Sequence, residues 1–102
     1  MSDVEYQSGD LIFEWDSNKA VLNRQKHGIT FETAALVFAD DNRIERYDSS
    51  HSDNEDRYIT IGRIREVLFV VYTERLDKTR LISARRATAE ERRDYYVGNE
   101  GY

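Results

Sequence analysis

The chain has 102 residues, no cysteine, no proline and a formal net charge of −5 at pH 7. That length suits one domain with a single core, the lack of cysteine excludes disulfides and thiolate metal sites, and no stretch approaches the ~20 apolar residues of a membrane span. The charge is uneven, because residues 1–56 hold 5 Lys and Arg against 13 Asp and Glu while residues 57–102 hold 10 against 7, so a basic site on an acidic body is physically reasonable.

Residues 1–9 are polar and carry Gly9, and they are expected to be a flexible N-terminal tail ahead of a folded domain over 10–97, with a second tail over 98–102. With neither a basic start nor an apolar leader, the sequence reads as cytoplasmic. "LIFEW", Leu11 to Trp15, predicts a short strand, and Asp16 or Ser17 offers the side-chain oxygen that caps a helix running from about Ser17 to His27. Gly28 stands where a left-handed residue ends it. Thr30 caps a second helix, in which Phe31, Ala34, Ala35 and Phe38 form one apolar stripe at i, i+3, i+4 and i+7. "NRIERYD" predicts a strand near 43–47, and the wholly polar "SSHSDNED" a loop. Strands are then expected near 57–62, 66–74 and 79–84, with Gly62 to Arg65 as a turn and the unbroken apolar run "EVLFVVYTE" as the central strand. Thr88-Ala89-Glu90-Glu91 has the form of a capping box, so a third helix starts there. Short links between the strands favour antiparallel neighbours, and the expected fold is α+β: one twisted antiparallel sheet packed with two N-terminal helices and a C-terminal helix.

Several chemistries lack their residues. No glycine-rich phosphate loop or G-x-S-x-G elbow is present, and His27 and His51 belong to no zinc-binding pattern. His51 lies among Asp48, Asp53, Glu55 and Asp56, but the glycine and final glutamate of an EF-hand loop are missing, so no metal is assigned. Two constellations remain. On the first helix Lys19, Asn23, Lys26 and His27 fall within about a quarter of the circumference, either as a solvated basic face or as donors converging on a phosphate. Glu74-Arg75 and Arg85-Arg86 end two adjacent strands. A hairpin between those strands puts Arg85 at the end opposite Arg75, unless sheet twist and the last helix bring it back. Arg92, Arg93 and Tyr96 share a face of the last helix, able to hold phosphate and stack a base or, equally, to anchor the helix through Tyr96 while the arginines pair with carboxylates.

In order and spacing, F-E-W-D at Phe13–Asp16, N-x-x-K-H-G at Asn23–Gly28, Y-T-E-R at Tyr72–Arg75 and I-S-A-R-R-A at Ile82–Ala87 resemble the BrnT family of bacterial type II toxin–antitoxin toxins. The similarity spans roughly Phe13 to Tyr96. It implies a RelE-like ribonuclease fold, RNA cleavage without metal or other cofactor, arrest of translation, and neutralisation by a BrnA-like DNA-binding antitoxin in a complex of two toxins and two antitoxins. Cleavage through the 2′-hydroxyl needs a base, an acid and cations for the charge on phosphate. On that basis Lys26, His27, Glu74, Arg75 and Arg85 are the candidate catalytic residues, with His27 or Glu74 as base, and Lys19, Asn23, Arg86, Arg92 and Tyr96 the candidate substrate-binding residues. The rival reading is a non-enzymatic module that blocks a protein target, as ParE-like relatives of the superfamily do with gyrase, or an inactive relative that acts as co-repressor with its antitoxin.

Overall fold

The structure, a computed structural model, describes residues 2–99. The chain runs β1 (Asp3–Ser8), β2 (Leu11–Asp16), α1 (Ser17–His27), α2 (Phe31–Leu36), a 3₁₀ turn (Val37–Ala39), β3 (Ile44–Tyr47), β4 (Tyr58–Ile64), β5 (Glu66–Arg75), β6 (Lys78–Arg86) and α3 (Ala89–Gly98). The expected tail at 1–9 is a strand instead. Val4 and Tyr6 alternate with Asp3, Glu5 and Gln7, Gly9 turns the chain at φ 61°, and β1 pairs antiparallel with β2, placing Val4 opposite Trp15 and Tyr6 opposite Phe13. Of the expected C-terminal tail, residues 100–102 lie outside the described residues.

All six strands form one sheet in the order β1-β2-β6-β5-β4-β3. It is mixed rather than purely antiparallel, because β2 pairs in parallel with β6 through Phe13–Thr79 and Glu14–Arg80. The short-link rule governs only strands joined by tight connections, and between β2 and β6 the chain crosses two helices and three further strands. The other pairs are hairpin neighbours, β5 and β6 turning at Leu76 with φ 56°. Gly62 sits inside β4, and Arg65 makes the turn. A Cβ at Gly62 would meet Val37 Cγ1 at 2.6 Å, so glycine there lets the 3₁₀ turn approach the strand.

The caps are those the sequence offers. Asp16 accepts from the Lys19 N–H at 3.0 Å, Gly28 closes α1 in the left-handed region at φ 72°, and Thr88 with Glu91 completes the capping box of α3. α1 and α2 cover one sheet face, burying Phe13, Trp15, Phe31, Phe38, Leu68 and Tyr72. On the other face α3 covers only part of the sheet. There Tyr95 packs with Ile61, Val67 and Ala87, and its hydroxyl donates to Asp40 at 2.7 Å. Burial, and then that bond to a carboxylate, push the Tyr95 phenol up to about 12. The aromatic anchor of α3 is therefore Tyr95 and not Tyr96, which is 46% exposed.

Phe38 stacks edge-on against Phe13 at 5.1 Å and Tyr72 at 5.0 Å. Phe38→Ala is expected to cost roughly 3–5 kcal/mol in denaturant melts, as for an aromatic removed from a core.

Candidate functional site

β6 leaves β2 after Arg80, and from there its free edge is taken by α1. The Asn23 side chain, in a residue 7% exposed, does this. Its Oδ1 accepts from Ala84 N–H at 3.0 Å, and its Nδ2 donates to Ala84 O at 2.9 Å and to Ile29 O at 3.0 Å. Both amide hydrogens are thereby spent within the fold. The residue expected to bind substrate is the clamp that positions those around it.

Beside that clamp Lys19, Lys26 and His27 of α1, with Ile82 and Ser83 of β6, line a shallow cleft of about 220 Å³. Partial burial, then the positive charges of Lys26 and Arg85, lower the His27 pKa below its ordinary 6.5, so its imidazole is predominantly neutral at pH 7. Among the described residues neither Lys19 nor Lys26 has an ion-pair partner. Arg86 donates from Nη1 to the His27 carbonyl at 2.9 Å and from Nε to Glu66 at 2.9 Å, tying the end of α1 to β6. The sequence-predicted Lys19, Lys26, His27, Arg85 and Arg86 are thus drawn to one end of the molecule.

Arg85 is held from three sides. Its guanidinium carbon lies 3.9 Å from the Phe69 ring centroid. Nη1 and Nη2 donate to the two Glu91 carboxylate oxygens at 2.9 and 3.0 Å, and Nη1 also donates to Arg86 O at 3.1 Å. The Arg85 hydrogen bond holds the Glu91 carboxyl below its usual range. Nε–H and one Nη2–H of the five guanidinium donors remain uncommitted, on a head fixed in direction.

The other expected residues lie elsewhere. Arg85 stands opposite Phe69, whereas Arg75 stands opposite Lys78 at the far end of the same strand pair, about 20 Å away along β5 at strand rise. Neither twist nor α3 brings them together. Arg75 is occupied by Glu55, bound from Nε at 3.0 Å and Nη2 at 2.8 Å, and Glu74 is exposed at that same far end. On α3 Arg92 donates to Ala87 O at 3.0 Å, and the Tyr96 ring packs on Tyr95 at 5.1 Å. Neither lines the α1 cleft.

Three features beside the site were missed in the sequence. Glu91, the partner of Arg85, was visible only as a capping residue, although a carboxylate six residues after an arginine across a strand-to-helix turn is within reach. Phe69 under Arg85 requires the β5–β6 register. His51 and Arg57 come to the uncovered sheet face because the loop over 48–57 folds back across it. There the His51 ring bonds Asp48 at 3.1 Å.

Asn23→Ala is expected to lower stability by about 2–4 kcal/mol in denaturant melts, since it leaves the polar groups of buried Ala84 without partners. Arg92→Ala, removing one bond on an exposed residue, should stay within about 0.5–1.5 kcal/mol of wild type.

Comparison with known proteins agrees with this geometry at the level of the fold. The crystal structure of the Brucella abortus ribonuclease toxin BrnT, at 1.1 Å resolution, superposes with a TM-score of 0.55 and 23% identity over 72% of this chain and 92% of that one. No curated protein matches the sequence. The family model described as the ribonuclease toxin BrnT of type II toxin–antitoxin systems matches residues 15–91, so that β1 and most of β2 precede the matched segment. With most of its length covered by that match, the chain belongs to the BrnT family of ribonuclease toxins of type II toxin–antitoxin systems.

Proposed function

We propose that this toxin cleaves single-stranded RNA without a metal ion, at the cleft between α1 and β6, and so arrests translation. The observation that carries the reading is the meeting of His27 with unpaired Lys19 and Lys26 beside the fixed Arg85. His27 takes the 2′-hydroxyl proton; the 2′-oxygen then bonds to phosphorus, and the bond to the 5′-oxygen breaks as that oxygen takes a proton from water, leaving a 2′,3′-cyclic phosphate and a 5′-hydroxyl. Arg85, through its two free donors, and Lys26 stabilise the charge that builds on the phosphate oxygens. Glu74, Arg75, Arg92 and Tyr96 have no part in this step, because none of them lines the cleft or, as Arg85 does, the adjoining surface of β6 beside Ser83. Arg86 acts through the His27 carbonyl as a positioning residue. The RelE-like reading fits a sheet whose second face is only partly covered, which leaves backbone and side chains of β6 accessible to a strand of RNA.

A DNA-binding antitoxin of the BrnA kind neutralises the toxin in a complex of two copies of each. The balance of 5 Lys and Arg against 13 Asp and Glu over residues 1–56 supports this, because an antitoxin that binds DNA carries positive charge and an acidic surface complements it. Light scattering on the co-expressed, co-purified complex should give two of each chain; a single toxin with no partner copy would sink the assignment.

Cleavage of RNA in the presence of EDTA tests the site. Arg85→Ala should lose ~10²–10³ in rate, the loss seen when one charge-assisted donor is removed from a transition-state site. Arg85→Lys should recover part of that, because the ammonium keeps the charge and loses the planar fork. Arg75→Ala should cleave as wild type does. With His27 as base, the rate should fall as pH drops below His27's ordinary 6.5, since protonation through its lowered pKa removes the acceptor; in His27→Ala that limb should vanish with the activity. Equal cleavage by wild type and Arg85→Ala would remove Arg85 from the site, and no cleavage by wild type would favour a protein-blocking module over an enzyme.

A further inference from the structure

On the sheet face that α3 leaves open, a groove of about 380 Å³ adjoins the α1 cleft, the two sharing Ile82 and Ser83. Its floor is apolar: Ile59 of β4, Phe69 and Val71 of β5 and Ile82 of β6, each half-buried with no helix above. The β5–β6 register shifts between Val71 and Tyr72, so Ser83 stands opposite Val71, Leu81 opposite Tyr72, and Ile82 is the extra residue. A bulge at this point widens the strand just where the two clefts meet. The rim is cationic and polar. Arg85 lies flat on Phe69 at one side. Arg57, half-buried on the other, has no ion-pair partner among the described residues. Above them the His51 Nδ1 is bonded to the Asp48 carboxylate at 3.1 and 3.3 Å, which fixes the ring and leaves Nε2 free.

A bare apolar floor between strands is unusual on an otherwise highly charged surface and marks a binding site. A lipid or peptide side chain would use the floor without the cations, and an inorganic anion would use the cations without the floor. A nucleotide uses both, its base having a π-face for Ile82 and Val71 and a polar edge for hydrogen bonds, and its phosphate being an anion for a rim arginine. The volume is at the small end of the ~300–1,000 Å³ of ligand clefts, enough for one such unit.

We propose that this groove holds one unpaired nucleotide of the RNA, next to the phosphate being cut, with the Asp48-held His51 imidazole reading the edge of its base. The proposal rests on the ribonuclease reading for its substrate. It adds the subsite that sets the cut-site preference. His51 is a specificity residue here and His27 remains the base.

The test uses the four ribonucleoside 5′-monophosphates, each titrated into the full chain and followed by backbone and methyl NMR, beside cleavage of an RNA of mixed sequence. The expected result is that shifts map to Ile59, Phe69, Val71 and Ile82. Val71→Glu, which puts a carboxylate on the exposed floor, should weaken binding about ten-fold or more. His51→Ala, at a side chain 67% exposed, should change the ranking of the four monophosphates and the bases flanking the cuts. Melting curves identify any loss from misfolding of Val71→Glu, and His51→Ala carries the test alone in that event. Shifts confined to Lys26 and His27, or an unaltered ranking and unaltered cut sites in His51→Ala, would overturn the proposal. If wild type binds a monophosphate in the groove and cleaves no RNA, the ribonuclease reading fails and the nucleotide groove stands; if cleavage depends on Arg85 and ignores both groove variants, the reverse holds.

Discussion

The arrangement depends on one side chain standing in for a strand. Once β6 has parted from β2 beyond Arg80, its outer edge would present backbone N–H and C=O groups to no partner, a cost in a buried setting and an invitation to mispairing in an open one. The Asn23 amide has one donor and one acceptor in the spacing of a neighbouring peptide, and it meets both groups of Ala84. This bond pair fixes the rotation of α1 about its own axis. With Asn23 turned inward, residues four before, three after and four after it, Lys19, Lys26 and His27, are held along the same border of β6. Arg85 follows Ala84 in the strand and therefore points to the opposite face, where Phe69 and Glu91 receive it. One amide thus sets both the basic stripe and the strand that carries the arginine.

Local signals in the sequence were sufficient for the elements and insufficient for their juxtaposition. Asp16, Gly28, Thr30 and the Thr88–Glu91 box are effects of neighbouring residues on neighbouring backbone, and α1 begins and ends where they put it. The stripe of Phe31, Ala34, Ala35 and Phe38 is likewise core, although the last turn tightens to 3₁₀ and brings Val37 in as well. What failed were statements about partners far along the chain. The polar outward residues of β1 read as a tail, yet Val4 and Tyr6 alternate with them, and tertiary cover of Trp15 makes that weak period-two signal into a strand. The parallel β2–β6 contact has no local trace. Asn23 could be placed on the polar stripe from its spacing, but whether an amide in such a stripe faces a phosphate or a strand edge depends on what lies beside the helix. The same holds for Arg75 and Arg85: both end strands, and only the hairpin register separates them.

The separation of those two arginines lets an acidic molecule carry the proposed anion site at one end. On the open sheet face the cations of the β5–β6 hairpin end are each matched. Arg75 is bound by Glu55, Lys78 by Glu5, and Arg80 by Asp3 and Glu14. β1 supplies two of these carboxylates, so the strand that precedes the family match also cancels positive charge at this end. The Arg75–Glu55 and Lys78–Glu5 pairs are exposed, and their effect on stability is small; their effect on the field is not, because a matched pair leaves little potential beyond a Debye length of about 8 Å.

At the α1 end the balance is reversed. Lys19 and Lys26 are unmatched among the described residues, while Arg85 is matched on one side and open on the other. Its pairing with Glu91 does not conflict with binding phosphate. A free arginine would approach an anion from many rotamers and lose that freedom on contact, whereas one already anchored on a ring and a carboxylate presents its remaining two donors in a single direction, so the ordering cost is met in folding rather than at the transition state. On the proposed reading the net charge of the chain matters little to catalysis, because the cations that would meet phosphate are a few side chains around Ile82 and Ser83, and the acidic remainder is left for the proposed antitoxin.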